Sequence, residues 1–544
     1  MRRFALITGL FLWSFALSPA LALAFVDVTP VASANPKAPG AVVPNVLSPE
    51  LAEVVRAQGA MLLENPAPGA LYYGYSDDRP NMVPALGSNA AASKTEPDKN
   101  TYLVLDGQRG ADPEYNYGRH FLFQGHEAGT GGRGYITRVN LDADVAHRVT
   151  LMATTDVHGT PLPLFDGSTW YPWSQRLLFT AELGNRGGVW QATLDVPSAV
   201  EDVSGVFGRA GYEGIQADSE GNLWLAEDVG GRNGAVNSHA RQPNSFIYRF
   251  VPYVKSDLRA GGRLQVLAVT AKAHPGPILF NNASADVDIL SQDVLDLHTY
   301  GNRFDTTWIT IHDTAVHGMT PFDANALAKG VGTPFKRPEN GVFRPNLGFR
   351  EFYFTETGDT SALTEAGRRV GNGSFGGFGA IFKITQRRPS DNHGTLSLLF
   401  LGDLQHTGFD NIAFWSKDTV AVVEDRGDTL HTQANALDSA FLLDVDLDYA
   451  HPANQPVRFL AQGRDASATI DSALLGSAGF QNDGDNEITG IHISDGDPSI
   501  NGLLGARTLN ALVGSWRVFY TQQHGDNTTY EIIRNPNVLA RDID

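Results

Sequence analysis

Apolar and polar positions alternate along this chain in short runs that share one ending. Three or four alternating residues lead to an acid, an amide or an imidazole, and a turn usually follows. The phrase appears as Phe121-Leu-Phe-Gln-Gly-His126-Glu127, Leu178-Phe-Thr-Ala-Glu182 and Leu223-Trp-Leu-Ala-Glu227-Asp228. It returns as Phe352-Tyr-Phe-Thr-Glu356, Val422-Val-Glu424-Asp425 and Val518-Phe-Tyr-Thr-Gln-Gln523-His524. Period-two alternation predicts strands, each with its last polar residue where the strand leaves its sheet. Helical periodicity is scarce, and helices are expected only over Leu51–Gln58 and Ala324–Lys329.

A second signature precedes most of these phrases. It reads Phe165-Asp166-Gly, Tyr212-Glu213-Gly, Pro338-Glu339-Asn-Gly, Phe409-Asp410-Asn411-Ile and Asn486-Glu487-Ile-Thr-Gly. The offsets to the following acid are alike: 16 from Asp166 to Glu182, 14 from Glu213 to Glu227, 17 from Glu339 to Glu356 and 14 from Asp410 to Glu424. The last pair is more widely spaced, because an inserted loop holds Asp495-Gly-Asp497. Repeats at such distances point to a β-propeller, in which one edge of every blade faces a central channel. The expected fold is all-β: a six-bladed propeller over residues 101–544, with an irregular N-terminal extension over 25–100 and inserted loops. The stretch from Asp257 to Thr306 reads as either a blade or a lid. A pair of β-sandwiches is the competing architecture; it would scatter the acids that a propeller gathers.

The N-terminus changes the compartment. Arg2 and Arg3 precede an apolar run from Phe4 to Leu17, then Ser18-Pro19 and a final Ala22-Leu23-Ala24. That order fits a signal peptide over residues 1–24 with an A-x-A cleavage site, and periplasmic or extracellular localisation is expected. Removing it deletes two Arg and no acid, so the formal charge moves from −19 to −21 (−19 − 2). So acidic a protein disfavours nucleic acid and anionic membranes as partners. An anionic partner would need bound cations or local Arg residues to approach, and the expected state is a monomer without stable membrane insertion. The chain has no Cys, which excludes thiolate zinc sites, iron–sulfur clusters and Cys nucleophiles. The remaining donors favour hard cations such as calcium, with more than one ion expected.

The acids supply the chemistry. Glu182, Glu213, Glu227, Glu339, Glu356, Glu424 and Glu487 around one funnel would repel one another, since like charges 4 Å apart cost about 1 kcal/mol in water and several times more at lower dielectric. A ring of this kind persists if cations neutralise it or some members stay protonated, so all seven are candidate metal ligands. His126 and His524 are candidates for acid–base work, metal ligation or phosphate contact, and equally for structural hydrogen bonding. Arg337 stands before Pro338-Glu339, where an extended dipeptide would hold a guanidinium beside an acid; it suits phosphate recognition and equally a surface ion pair. Asp483-Gly-Asp485-Asn486 and Asp495-Gly-Asp497 read as turns. No P-loop, H-E-x-x-H, dinucleotide fingerprint or nucleophile elbow is present.

The ordered motifs resemble those of the PhoX-type alkaline phosphatases. Thr169-Trp-Tyr-Pro172-Trp173 with Glu182 is similar to that family's P-W-x-x-W-L-x-C-E, and Phe246-Ile-Tyr248-Arg-Phe-Val-Pro252 to its Y-K-F-V-P. Arg337-Pro338-Glu339-Asn340, Phe409-Asp410-Asn411-Ile412, Glu487-Ile-Thr-Gly490 and Gln523-His524-Gly525 resemble its R-P-E-D, P-D-N-[IL], E-[VL]-T-G and Q-H-P-G. The resemblance runs from about His126 to Gly525. It implies a six-bladed propeller with calcium and iron on its axis, hydrolysing phosphate monoesters, so that the expected partner is a small anionic phosphoester. It also implies Glu213, Glu339 and Glu487 as metal ligands, Glu182 as a ligand at the iron end, and Arg337 as a phosphate contact. Two positions depart from the pattern: the iron-bridging Cys falls at Ala181, and the family's Asn falls at Gly125. The iron pair is therefore in doubt. A calcium-dependent propeller lactonase and a non-catalytic, calcium-stabilised binding propeller are the alternative readings.

Overall fold

The alternating phrases fold as antiparallel strands in the computed structural model, which describes residues 28–31, 35, 43–75, 95–128, 133–359, 361–362, 373–463, 487–523 and 527–539. Each phrase forms the second strand of a meander, and in four of them the strand paired with it carries the signature: Tyr212–Ala217, Pro338–Phe343, Phe409–Phe414 and Glu487–Ser494. Three sheets have four strands and one has five. A nine-stranded sheet joins two further meanders through Arg303–Asp313, which lies between Gly262–Val269 and His393–Leu401. A two-stranded ribbon, Leu62–Ala67 with Ala70–Tyr72, stands apart.

The first strand of every meander lies at an edge of its sheet, and these edges face one another. They are Pro97–Val104, Ser168–Tyr171, Tyr212–Ala217, Pro338–Phe343, Phe409–Phe414 and Glu487–Ser494. Each lies against the next, and the last returns to the first. This closed ring is the propeller arrangement, and the sandwich alternative does not produce it. Six blades is the number obtained when the nine-stranded sheet is divided at Arg303–Asp313; the sheet itself runs through that point.

Apolar faces pack between neighbouring sheets. Val342, Tyr353, Phe409, Phe414, Val422 and Phe441 belong to one such layer, and Leu103, Phe123, Phe165, Phe179 and Trp190 to another. Burying a side chain of this size contributes ~1.5–3 kcal/mol, so the layers hold the ring while the axis remains polar.

Two expectations for helices meet different outcomes. Ala324–Ala328 is a helix, capped by Asp323, whose Oδ1 accepts the Ala326 N–H (2.8 Å). Leu51–Ala57 is a strand, paired with Thr528–Arg534 as the outermost strand of the last sheet. Its two adjacent valines suit a sheet, and the open edge of Thr528–Arg534 supplies a partner that a helix would leave unsatisfied. Asp257–Thr306 combines the strand Gly262–Val269 with two short helices, Ala285–Ile289 and Gln292–Leu297. The signal-peptide segment, Asp483–Asn486 and His524 lie outside the described residues.

Candidate metal centre

The inner strands deliver their acids through bulges. The pairing register shifts between Pro97 and Asn100, Tyr212 and Ile215, Pro338 and Gly341, and Phe409 and Ile412. Each shift spans one acid: Asp98, Glu213, Glu339 or Asp410. A bulge breaks the two-residue alternation and re-aims a side chain. Here it releases the carboxylates from the pleat toward one end of the axis, where Asp166 and Glu487 join them from the other two inner-strand starts.

The second strands add another set, one residue later than the phrases suggest. The last paired residues His126, Ala181, Glu227, Glu356 and Glu424 face back into the protein, and four of them are followed by an acid: Glu127, Glu182, Asp228 and Asp425. Glu227 accepts from the Phe246 N–H (3.1 Å), Tyr248 Oη (2.9 Å) and Asn325 Nδ2 (3.0 Å). Glu356 accepts from the Lys336 N–H (2.8 Å) and lies 2.9 Å from His298 Nε2. Glu424 accepts from the N–H groups of Thr407 and Ser439 and from Arg426 Nη2. These three are latches that satisfy backbone donors where strands begin.

His126 occupies the equivalent place, opposite Pro97. It is fully buried, bonded at both ring nitrogens to Thr95 and Thr137 (3.0 and 2.9 Å), and stacked on Tyr135. Burial pushes its pKa down to about 3. The structure therefore places Glu227, Glu356, Glu424 and His126 behind the site. Their successors Glu127, Asp228 and Asp425 approach it, as does Glu182 after Ala181.

Two carboxylate groups have the spacing that a cation requires. Oxygens of Asp98, Glu127 and Asp166 lie within 4.8 Å of one another, and so do those of Glu213, Asp228 and Glu339. Glu182 links them electrostatically, since it is acted on by Asp228, Glu127 and Glu339. Glu487 feels Asp425, Asp410, Glu127 and Asp98. Burial first, and then this mutual repulsion, holds Asp166, Glu182, Glu213 and Glu487 well above the ordinary carboxylate range. Glu339 is likewise high, chiefly through burial and Asp228. Asp98 is pushed up to about 7 by burial and Asp410.

Two cations stand within the cluster. Arg337 gives Nε to both oxygens of Asp228 (3.1 and 2.9 Å) and Nη2 to its Oδ2 (2.6 Å), and Nη2 lies 3.7 Å from Glu339. Its φ of +58° is left-handed rather than the extended geometry expected before a proline. Such a backbone costs ~1 kcal/mol or more for a residue with a Cβ, which the paired carboxylate offsets. Lys99 is buried on the axis, with Nζ 3.1 Å from Asn340 Oδ1 and 3.2 Å from Asn411 Oδ1.

The donor set is hard oxygen throughout. Asp166 Oδ1 and Asp410 Oδ2 are buried with no hydrogen-bond partner, the condition of an oxygen that a cation would complete. Calcium, taking six to eight oxygens at flexible geometry, fits this set. A thiolate bridge between irons does not: Ala181 is fully buried in the apolar layer with Phe165 and Phe179. Among the residues missed by reading phrase endings, Asp98 sat in a segment taken as irregular, although Pro97-Asp98-Lys99-Asn100 has the form of Pro338-Glu339-Asn340-Gly341.

The family model described as alkaline phosphatase PhoX matches residues 208–440, the span that holds Glu213, Asp228, Arg337, Glu339, Asp410 and Asp425. Over this span the chain resembles the PhoX alkaline phosphatases. The PhoX-like chain also superposes on Pseudomonas fluorescens PhoX, solved in complex with vanadate, a transition state analogue. That match has a TM-score of 0.51 at 12% identity and covers 93% of this chain and 97% of the other. At this identity it shows the fold, a β-propeller. CoXyl43, a GH43 β-xylosidase/α-arabinofuranosidase from a compost microbial metagenome, is 10% identical with a TM-score of 0.26, covering 64% of this chain and 91% of that one. Kuenenia stuttgartiensis hydrazine synthase is 11% identical with a TM-score of 0.28, covering 70% and 43%. No curated protein matches the chain. Among the described residues, no helix is long and apolar enough to cross a membrane.

Proposed function

We propose that this PhoX-like protein is an exported, calcium-dependent hydrolase of phosphomonoesters, acting as a monomer on small anionic substrates in the periplasm or outside the cell. The observation that carries this reading is the pairing of Arg337 with a carboxylate ring at one end of the propeller axis. Bound calcium would polarise phosphoryl oxygens and lower the pKa of a coordinated water. Glu213, Asp228 and Glu339 would hold one cation, Asp98, Glu127 and Asp166 another, with Glu182 between them. Glu487, Asp410 and Asp425 complete the negative wall. Asp228 grips one edge of the Arg337 guanidinium, and Nη1, which that grip does not use, is assigned to the phosphoryl oxygens. A substrate anion would approach where the cations and Arg337 offset the protein's acidity.

The absence of a thiolate, with Ala181 in the apolar layer, favours a second reading: a propeller that keeps the calcium scaffold as a binding protein without turnover. The two separate in one experiment. The purified protein is assayed for phosphate release from an aryl phosphomonoester with calcium, with calcium plus ferric iron, and with chelator, while bound metals are counted. Calcium-dependent release, with no iron bound, supports the hydrolase. A sample that binds calcium, melts earlier with chelator and releases no phosphate overturns it in favour of the binding protein.

A further inference from the structure

One step along the inner strands from the acids lies a second tier of side chains. Lys99, Asn340 and Asn411 directly follow Asp98, Glu339 and Asp410, and all three are buried. The corresponding residues after Asp166 and Glu213 are Gly167 and Gly214. A Cβ at Gly214 would lie 2.8 Å from the Asn340 Cα, and one at Gly167 would meet the Glu213 carbonyl oxygen at 1.9 Å. The glycines let the strands close tightly and leave the tier to three polar side chains, which Thr489 joins from the sixth strand through Asn411 Nδ2 (3.3 Å).

The contacts of Lys99 are those of a bound ion. Among the described residues its Nζ donates to no carboxylate, but to two amide oxygens, Asn340 Oδ1 and Asn411 Oδ1, at 3.1 and 3.2 Å. Each amide turns its Nδ2 to an acid: Asn340 to Glu213 Oε1 (3.0 Å) and Asn411 to Asp410 Oδ1 (2.6 Å). Neither amide can be reversed, because that would set N–H against ammonium and oxygen against carboxylate. Asp410 keeps Oδ2 buried and without a hydrogen-bond partner. Burial lowers the Lys99 pKa, while Asp410, Asp98, Glu213 and Asp166 sustain its charge. An ammonium held out of water with no carboxylate in contact is costly, and the negative ring offsets that cost.

We propose that the Lys99 ammonium is a tethered cation, filling a position at the inner end of the carboxylate ring that without it takes a small monovalent ion. The position is defined by its ligands: two amide oxygens, with four carboxylates beyond them. Such hard donors suit hard cations, and ammonium and potassium ions are close in size. The cavity beside Lys99, of about 100 Å³, has room for water to complete the shell of a free ion. A charge carried on the chain cannot be chelated away, so part of the ring's repulsion is balanced before any ion arrives. The inference rests on the ring as a cation site and not on the hydrolase reading.

The test supplies the missing charge from solution. Lys99→Ala should lower the melting temperature of the chelated protein by several degrees. Ammonium, methylammonium and potassium chlorides should each restore most of that loss with saturation, and tetramethylammonium chloride at equal ionic strength should not. The native protein should answer all four salts alike. Lys99→Met fills the same volume without charge, so it should show no rescue and bind calcium ~10-fold more tightly, a nearby like charge being gone. Circular dichroism establishes that each variant is folded, and calorimetry on Lys99→Met decides the matter if Lys99→Ala is not. A folded Lys99→Ala that answers ammonium and tetramethylammonium alike would overturn the proposal. So would a Lys99→Met whose calcium affinity is unchanged or weaker. Native protein that binds no calcium would overturn the calcium assignment alone, because the rescue is read with chelator present.

Discussion

Glu227 and Asp228 are neighbours in sequence with opposite tasks. Glu227 closes hydrogen bonds to the backbone and to Tyr248 inside the blade, whereas Asp228 holds Arg337 at the axis. Substitution should separate them. Glu227→Gln exchanges an acceptor for a mixed group among three donors, so it should lower stability by ~1–3 kcal/mol with calcium stoichiometry unchanged, measured by melting and metal analysis. Glu339→Gln should reverse that pattern: a tenfold or greater loss of calcium affinity by titration calorimetry, with the fold retained. The sequence made the residue types visible and left their facing open. The acids of the signatures at Glu213, Glu339 and Glu487 do converge, because a bulge or a strand start aims them. The acids that end the phrases at Glu227, Glu356 and Glu424 do not, because the pleat turns them inward. Only pairing partners reveal which of two adjacent acids a strand presents.

At the scale of the element, legibility followed periodicity. Strands with strict alternation, such as Phe352–Glu356 within Glu351–Glu356, were readable from their own residues. Leu51–Ala57 was not, since seven residues of mixed character fit a helix face as well as a strand, and a partner more than four hundred positions away decides the outcome. Pro97-Asp98-Lys99 was likewise obscured by its polar surroundings, although it begins an inner strand. The last sheet offers a test of its closure. Glu531 bonds Arg517 through both oxygens (2.7 and 2.6 Å) and Arg56 through Oε2 (2.6 Å). Glu531→Ala leaves two guanidinium groups facing each other across that sheet. We expect ~1–3 kcal/mol of destabilisation, seen as a lowered melting temperature, with smaller loss in an Arg56→Ala, Glu531→Ala double variant than the two single losses summed.

Across the whole molecule, the ring of acids makes stability depend on pH and on cations together. Burial and mutual repulsion raise these carboxylates above their unfolded values, Asp98 to about 7 and Asp166, Glu182, Glu213 and Glu339 in the same direction. Between about pH 4 and those raised values the native state therefore binds more protons than the unfolded chain, and stability falls as pH rises through that window. Cations stabilise the ionised form and remove the effect. Chelated protein should melt at a progressively lower temperature from pH 5.5 to 8, and calcium-loaded protein should change little over that range. A calcium increment that shrinks toward alkaline pH would contradict the reading of the ring as a cation site.

The pairing of Leu51–Ala57 with Thr528–Arg534 bears on how the ring comes into being. A chain made from its N-terminus carries this strand as an unmatched edge through the synthesis of every blade that follows. The last sheet gains its outer strand only once Thr528–Arg534 is made, so this step of assembly spans nearly the whole chain, a contact of the kind that slows folding. Until then the edge is open to any passing strand, and shielding it in that interval is a task for the cell rather than for the protein.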